Sequence, residues 1–123
     1  MWSKQWMFVG SLFGFFSVAL GAFGAHALRG SIPERSLEVF QTGVQYQMFH
    51  SMALLALGLW SAFHPSLSTE WTGWSFVLGV ILFSGSLYAL AVTQIQELGM
   101  ITPLGGVCFL FGWASLAWSL YKA

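Results

Sequence analysis

Two histidines and a set of amide and hydroxyl side chains are the residues of this sequence best suited to chemistry. The candidates for a ligand-binding or polar cluster are His26, Gln41, Gln45, Gln47, His50, Ser84, Ser86 and Tyr88. An imidazole titrates near neutral pH and binds metals, whereas amides and hydroxyls both donate and accept hydrogen bonds. Brought together, such groups can bind a polar ligand or conduct protons. Dispersed along helices, they hold the helices together.

Each histidine has a structural and a functional interpretation. A histidine near a helix end, such as His26, commonly caps the helix, and the deeper His50 suits a hydrogen bond between helices. The functional alternatives are a proton-linked or ligand-binding role for either ring, or a metal or haem site formed by the pair. We expect no metal and no cofactor, because no further carboxylate or cysteine ligand lies near them to complete a tetrahedral set.

The sequence lacks the common catalytic signatures. It contains no glycine-rich phosphate loop after a strand, no H-E-x-x-H and no G-x-S-x-G. Ser84-Gly85-Ser86 has no base beside it in the sequence, so a nucleophilic serine would need His50 to approach from another helix. We therefore predict no catalytic residue and expect that the protein is not an enzyme.

These side chains must be positioned by a very apolar chain. Of 123 residues, 57% are hydrophobic and 7% are charged, and the formal net charge is zero. An average soluble domain has about 25% charged residues. The composition therefore excludes an ordinary soluble domain, a disordered tail and a nucleic-acid binder, which needs a basic field. The single cysteine, Cys108, excludes an internal disulfide framework. The remaining class is a protein solvated by the lipid bilayer.

Four segments are long enough to cross a membrane. A bilayer core is about 30 Å thick, so a helix needs roughly 20 mostly apolar residues to cross it. We predict spans over residues 5–28, 33–63, 71–93 and 102–121. Strands are not expected, since an open sheet edge cannot be satisfied in lipid. The predicted fold is one all-α domain over residues 1–123, an integral membrane four-helix bundle with up-down topology and short loops.

The N-terminus and the orientation each leave an alternative open. Lys4, the apolar run after it and Ala25-His26-Ala27 resemble a cleavable signal peptide. We favour a retained span, because a run of roughly 20 residues is longer than the usual signal core. Lys4 and Lys122 lie on the side of the termini, and Arg29 and Arg35 lie on the other side. This tie means that the positive-inside rule assigns no orientation.

Small residues at spacings of three and four are predicted to pack the helices together. They are Gly10, Gly14, Ser17, Gly21 and Gly24 in the first span, Gly79 in the third, and Gly105, Gly112 and Ser115 in the fourth. Small residues let helix backbones approach closely, and close packing drives helix association in lipid. Packing inside the bundle is the favoured interpretation. The alternative is that one stripe faces a second protomer, which predicts a homo-oligomer.

The seven tryptophans are distributed unevenly across the predicted bundle. Six of them fall near the surface that holds both termini, as expected for an amphipathic ring at a membrane interface. Trp113 lies nearer the middle. The polar candidates collect in the opposite half.

Polar residues of the second span form two sets. Glu34, Glu38, Gln41 and Gln45 are three or four residues apart and share one stripe, whereas Gln47, His50 and Ser51 point elsewhere. Unpaired amides and imidazoles are costly in hydrocarbon, so both sets should face the bundle, a partner or water. For the glutamines, contacts between helices are favoured over a permeation path.

Four motifs carry a family resemblance. They are Gly21-Ala-Phe-Gly-Ala-His-Ala27, Phe40-Gln-Thr-Gly-Val-Gln-Tyr-Gln-Met-Phe-His50, Phe83-Ser-Gly-Ser-Leu-Tyr88 and Ile101-Thr-Pro-Leu-Gly-Gly106. In this order the chain resembles small bacterial inner-membrane proteins of the YgdD/YwdK type, and it is similar to the eukaryotic transmembrane protein 256. The resemblance spans nearly the whole chain. It implies four transmembrane helices and the bacterial inner (plasma) membrane, but no mechanism, because the family's function is unassigned.

Two functional hypotheses follow from the sequence. The first is a non-enzymatic membrane protein that associates with itself or with a membrane-protein partner, surrounded by the lipid bilayer and without nucleic acid. Its motivation is the small-residue stripes. The alternative is a small-solute, ion or proton pathway, or a lipid-binding pocket, lined by the polar groups of the half opposite the termini.

Overall fold

The computed structural model describes residues 2–123, with side chains from residue 3 onward, and this range is helical apart from short connections. Its long helices are α1 (residues 2–28), α2 (Glu34–Phe63), α3 (residues 70–93) and α4 (Thr102–Lys122), with a 3₁₀ segment at Gln96–Met100 before α4. Within this range there is no strand beyond an isolated bridge between Arg29 and Ile32. The predicted all-α fold is confirmed.

Two of the helices contain a π-helical segment. α1 consists of Trp2–Val18, the π-segment Ala19–Gly24 and Ala25–Leu28, and α3 consists of Glu70–Gly79, the π-segment Val80–Ser84 and Gly85–Thr93. A π-turn contains an extra residue and so rotates the faces of a helix on either side of it. In α3 the segment ends at Ser84, whose side chain is fully buried and faces α2.

The turns between the helices use two residues in the left-handed region. Gly30, in the turn after α1, has φ 87°, a conformation that strains residues with a Cβ. Gln94 ends α3 with φ 62°. Its amide donates to the carbonyl oxygen of Ala91 at 2.6 Å and to the hydroxyl of Ser36 at 2.8 Å. These bonds offset the strain at Gln94 and tie the end of α3 to the start of α2.

Three segments are long and apolar enough to cross a membrane, namely Ser3–Leu28, Glu70–Thr93 and Gln96–Lys122. α2 is less apolar because it carries the two sets of polar side chains. Its 30 residues nevertheless rise about 45 Å as an α-helix, more than a bilayer core requires. Because α2 packs between α1 and α3, we retain the predicted span for it.

The helices pack in chain order, with α1 against α2, α2 against α3, and α3 against α4. Early residues of one helix meet late residues of the next, as Gly10 meets Leu54 and Thr72 meets Ser115. Neighbouring helices are therefore antiparallel, as expected for an up-down bundle with short loops.

Two apolar clusters lie at different levels of the bundle. The larger contains Trp6, Leu54, Leu57, Phe76, Val77, Val80 and Phe109, and the smaller contains Ala25, Leu37, Phe40 and Ala91. Along α2 and α3 the polar residues Gln47 and Ser84 fall between the two clusters. Polar contacts at this level are therefore sealed from both ends by apolar packing.

The four glycines of the small-residue stripe in α1 face α2. A Cβ on Gly10 or Gly14 would lie 2.9 Å from the backbone or side-chain oxygen of Ser51. Gly21 and Gly24 approach Val44 and Phe40 in the same way, and Ser17 is 1% exposed and bonds to the carbonyl oxygen of Phe13. The packing interpretation of this stripe is therefore the one that the structure supports.

The small residues of α4 face α3. A Cβ on Gly105 would collide with the backbone nitrogen of Phe83, and one on Gly112 would lie 2.7 Å from the ring of Phe76. Gly79 of α3 lies against Phe109, and Ser115 bonds to Thr72 at 2.6 Å. Both stripes are thus used inside the bundle, so neither remains to face a second protomer.

Some tryptophans are exposed on the surface of the bundle, and one is buried in its core. Trp60, Trp71 and Trp118 are exposed, as expected of residues at a membrane interface. Trp6 is instead 1% exposed, and its indole N–H donates to the hydroxyl of Thr69 at 3.3 Å. The expectation for Trp2 lies outside the described side chains.

Adjacent glycines in α4 test the packing of α3 on α4. Gly105→Ala places a methyl group against the backbone of Phe83, and overpacking of this kind typically costs about 1–3 kcal/mol. Gly106 has open space around it, so Gly106→Ala should be neutral or stabilise the helix by up to about 1 kcal/mol. Reversible unfolding in mixed micelles, followed by circular dichroism, measures both. Equal stability of the two variants would contradict this packing.

Candidate functional site

Gln47 lies where α1, α2 and α3 meet. Its side chain is 5% exposed. The amide N–H donates to the carbonyl oxygen of Phe13 in α1 at 2.9 Å, and the amide oxygen accepts from the hydroxyl of Tyr88 in α3 at 2.7 Å. One side chain thus satisfies its polar atoms on two neighbouring helices and joins three helices.

Two buried serines donate across helix contacts. The hydroxyl of Ser84 in α3 donates to the carbonyl oxygen of Gly43 in α2 at 2.6 Å. The hydroxyl of Ser51 in α2 donates to the carbonyl oxygen of Gly10 in α1 at 2.8 Å. Each acceptor is a glycine, because a helix carbonyl is reachable by a short side chain only where the backbones lie close. The serines and glycines therefore act as pairs.

His50 connects α2 to α4 through its Nε2, whereas its Nδ1 bonds within α2. Its Nδ1 lies 2.8 Å from the carbonyl oxygen of Tyr46, and its Nε2 lies 3.1 Å from the indole nitrogen of Trp113. A carbonyl accepts and an indole N–H donates, so Nδ1 carries the hydrogen and Nε2 is the acceptor. The ring stacks on Phe109, with centroids 3.7 Å apart and planes 8° apart. These bonds fit a neutral imidazole that is 4% exposed and borders the cleft between α2 and α4.

Hydroxyl pairs join α3 to α4 towards each end of their contact. Ser86 pairs with Thr102 at the start of α4, with 2.6 Å between the oxygens, and Ser86 also bonds to the carbonyl oxygen of Phe83. Thr72 and Ser115 form the other pair. Among the described residues, no buried side-chain nitrogen or oxygen lacks a hydrogen-bond partner. The interior polar groups are therefore mutually satisfied.

Three predicted candidates lie apart from this network. His26, Gln41 and Gln45 are exposed, and within residues 2–123 their side chains make no hydrogen bond. The ring contacts of His50 are with α3 and α4, so the structure does not bring the two histidines together. Across the described residues there is no group of three or more metal-ligating side chains.

The clefts are at the surface and open, and three of them bear on the site. One of about 430 Å³ lies between α2 and α4 and is lined by Tyr46, His50 and Trp113 among others. A second of about 300 Å³ continues it along the same two helices, past Trp113 to Leu120, with an apolar lining. A third of about 310 Å³ lies in the loop after α2. None of these three clefts is lined by Gln47, Ser84 or Tyr88.

Several partners in this network were not predicted from the sequence. They are the carbonyl oxygens of Phe13 and Gly43, the indole of Trp113 and the hydroxyl of Thr102. Backbone acceptors carry no sequence signal of their own. Trp113 did carry one, since it is the tryptophan placed farthest from the membrane surface.

Comparison with known proteins identifies the family of this chain. A family model described as a protein of unknown function (DUF423) matches residues 20–106. The chain is 44% identical over 119 residues to a UPF0382 membrane protein of Staphylococcus haemolyticus, covering 97% of both chains. It is 43% identical to the UPF0382 membrane protein YwdK of Bacillus subtilis, covering 97% of this chain and 98% of that one. The predicted resemblance is confirmed.

The same similarity extends to a third bacterium. A UPF0382 membrane protein of Haemophilus influenzae is 46% identical over 113 residues, which cover 92% of this chain and 90% of that protein. No solved structure matches the chain. The relatives are all named as membrane proteins, in agreement with the apolar helices.

A double-mutant cycle tests the bond between Gln47 and Tyr88. Gln47→Leu and Tyr88→Phe each leave a polar partner unsatisfied, and each should lower the free energy of unfolding by about 1–2 kcal/mol. The double variant should lose less than the sum, with a coupling of about 0.6–1.7 kcal/mol. Tyr46→Phe is the matched control, because the Tyr46 hydroxyl makes no hydrogen bond within residues 2–123. Additive losses would show that the two side chains do not interact.

Proposed function

The chain belongs to the DUF423 family, whose curated relatives are UPF0382 membrane proteins, and we propose that it is a non-enzymatic association protein of the membrane. In this proposal the four helices form a rigid scaffold. Its outer surface binds copies of the same chain or another membrane protein. The scaffold itself needs no cofactor.

One observation carries the proposal, namely the separation between paired and unpaired polar side chains. The buried polar groups around Gln47, His50 and Ser84 already have hydrogen-bond partners on other helices. The unpaired amides of Gln41 and Gln45 are on the outer surface of the bundle. The amides that are still able to bond therefore face a neighbour in the membrane rather than the interior of the bundle.

The solute-pathway hypothesis receives less support from the same contacts. A pathway needs polar groups that line a wet cavity, where they exchange partners with the solute. Gln47, Ser84 and Tyr88 have fixed partners and lie between two apolar clusters. An enzymatic role is disfavoured on similar grounds, because the Nε2 of His50 already accepts from Trp113 and is not free to act as a base for Ser84 or Ser86.

The bacterial inner membrane is the proposed location. The named relatives are bacterial membrane proteins, and their similarity covers nearly the whole chain. Helical spans satisfy all backbone groups internally and suit this membrane, whereas outer-membrane proteins are built from closed strands.

Counting subunits in lipid tests the association. The full chain, carrying one fluorophore at its C-terminus, is reconstituted in liposomes over a series of protein-to-lipid ratios. We expect bleaching in two or more steps at ratios where a random distribution predicts almost single occupancy. Dispersal of the sample in sodium dodecyl sulfate before reconstitution into excess lipid provides the single-step control. Single steps throughout, with no partner crosslinked in native membranes, would contradict the proposal.

A further inference from the structure

The outward side of α2 carries a continuous row of exposed residues. We call this row the outer seam, and its members are Glu34, Glu38, Gln41, Gln45, Met52 and Leu59. Successive members are three, four or seven residues apart, which is the spacing of a seam between two helices packed nearly in parallel. The residues that contact α1 and α3, including Gln47 and Leu54, lie on the opposite side of α2. The seam therefore has no partner within the bundle.

The seam carries an amide inside the predicted membrane span of α2. Ser84, which bonds to Gly43 of α2, lies nine residues before Thr93, the last residue of α3. Nine residues rise about 14 Å. Because α2 and α3 are antiparallel, Gln45 lies about 3 Å deeper than Gly43. Measured along the bundle, Gln45 therefore lies about 17 Å from the end of α3, well within the reach of the roughly 30 Å hydrocarbon core. Gln41 lies one turn nearer the surface.

An unpaired amide at this depth is costly, because lipid tails offer no hydrogen bond. A glutamine amide has two donor hydrogens and an acceptor oxygen, so it is complementary to itself. We propose that the outer seam is covered by a second copy of this chain, with the Gln45 amide bonded to the partner's Gln45 about a two-fold axis along the membrane normal. This inference rests on the proposed function and names its partner.

Charged residues at the polar end of the seam are also compatible with a parallel dimer about this two-fold axis. Arg35 and Glu38 pair loosely within one chain, at 3.9 Å and with 87% and 66% of their side chains exposed. Arg35 flanks the seam one turn from Glu38, so a parallel second copy can exchange Arg35–Glu38 pairs across the contact. An antiparallel copy would place neither charge near its opposite and is also incompatible with a single orientation in the membrane.

Among its described residues, the groove between α2 and α4 has an unbonded hydroxyl at Tyr46 but no unpaired amide. The groove between α2 and α4 is lined mainly by apolar side chains such as Leu57 and Leu116, which acyl chains satisfy as well as a protein does. The inner half of the seam is also apolar at Met52 and Leu59, 58% and 56% exposed, and so contributes packing around the amides rather than specificity.

Site-directed disulfides locate the contact. In a Cys108→Ala background, single cysteines replace Met52 and Leu59 in the seam, and replace Phe23 of α1 and Leu110 of α4 as exposed controls. A residue near a two-fold axis meets its own copy. Oxidation in native membranes should therefore give a dimer at both seam positions, at a yield several-fold above both controls. Equal yields at all four positions, or a dimer confined to Leu110→Cys, would overturn the seam.

Two substitutions at Gln45 test whether the amide itself stabilises the dimer. Gln45→Leu should weaken the dimer roughly tenfold, because two hydrogen bonds between helices are lost, whereas Gln45→Asn retains the amide and should weaken it far less. Both side chains are outside the bundle, so thermal unfolding of the monomer should be unchanged. If subunit counting shows association that Gln45→Leu leaves intact, the seam is wrong and the proposed function stands. If the unmodified chain does not self-associate, the seam is wrong, and if it also crosslinks to no partner in native membranes, the proposed function fails with it.

Discussion

The structure depends on one constraint, which is that a polar group inside hydrocarbon must find its partner within protein. Gln47 meets this constraint on three helices at once, because its amide donates to Phe13 of α1 and accepts from Tyr88 of α3. Moving any of these helices would leave an amide, a carbonyl or a phenol without a partner. The position of α2 between its neighbours therefore follows from satisfying a single side chain.

Close approach of the backbones makes the other polar contacts possible. The serine hydroxyls are short, and they reach Gly10 and Gly43 because glycine leaves room for the neighbouring helix. The same glycines that supply van der Waals packing also expose their carbonyls to hydrogen bonding. Van der Waals packing and hydrogen bonding therefore both stabilise helix association at the same positions. This is expected in lipid, where the hydrophobic effect does not drive helices together.

The sequence predicted the helices well because their signals are local. Span lengths, proline and glycine positions and the small-residue stripes all lie within single segments, and the helices of the structure begin and end close to the predicted bounds. The sequence also separated Gln41 and Gln45 from Gln47 and His50 by helical periodicity. It did not indicate which set faced the bundle, because that depends on the position of α3. The pairing of His50 with Trp113 depends in the same way on how α4 packs.

Hydration of the interior is the quantity that most directly separates a closed scaffold from a pathway. Solid-state NMR of the protein in lipid bilayers, with magnetisation transferred from water, measures it residue by residue. We expect rapid transfer to Glu38 at the membrane surface and no comparable transfer to the side chains of Gln47 and His50. Transfer to Gln47 as rapid as that to Glu38 would contradict the closed network and restore the solute pathway.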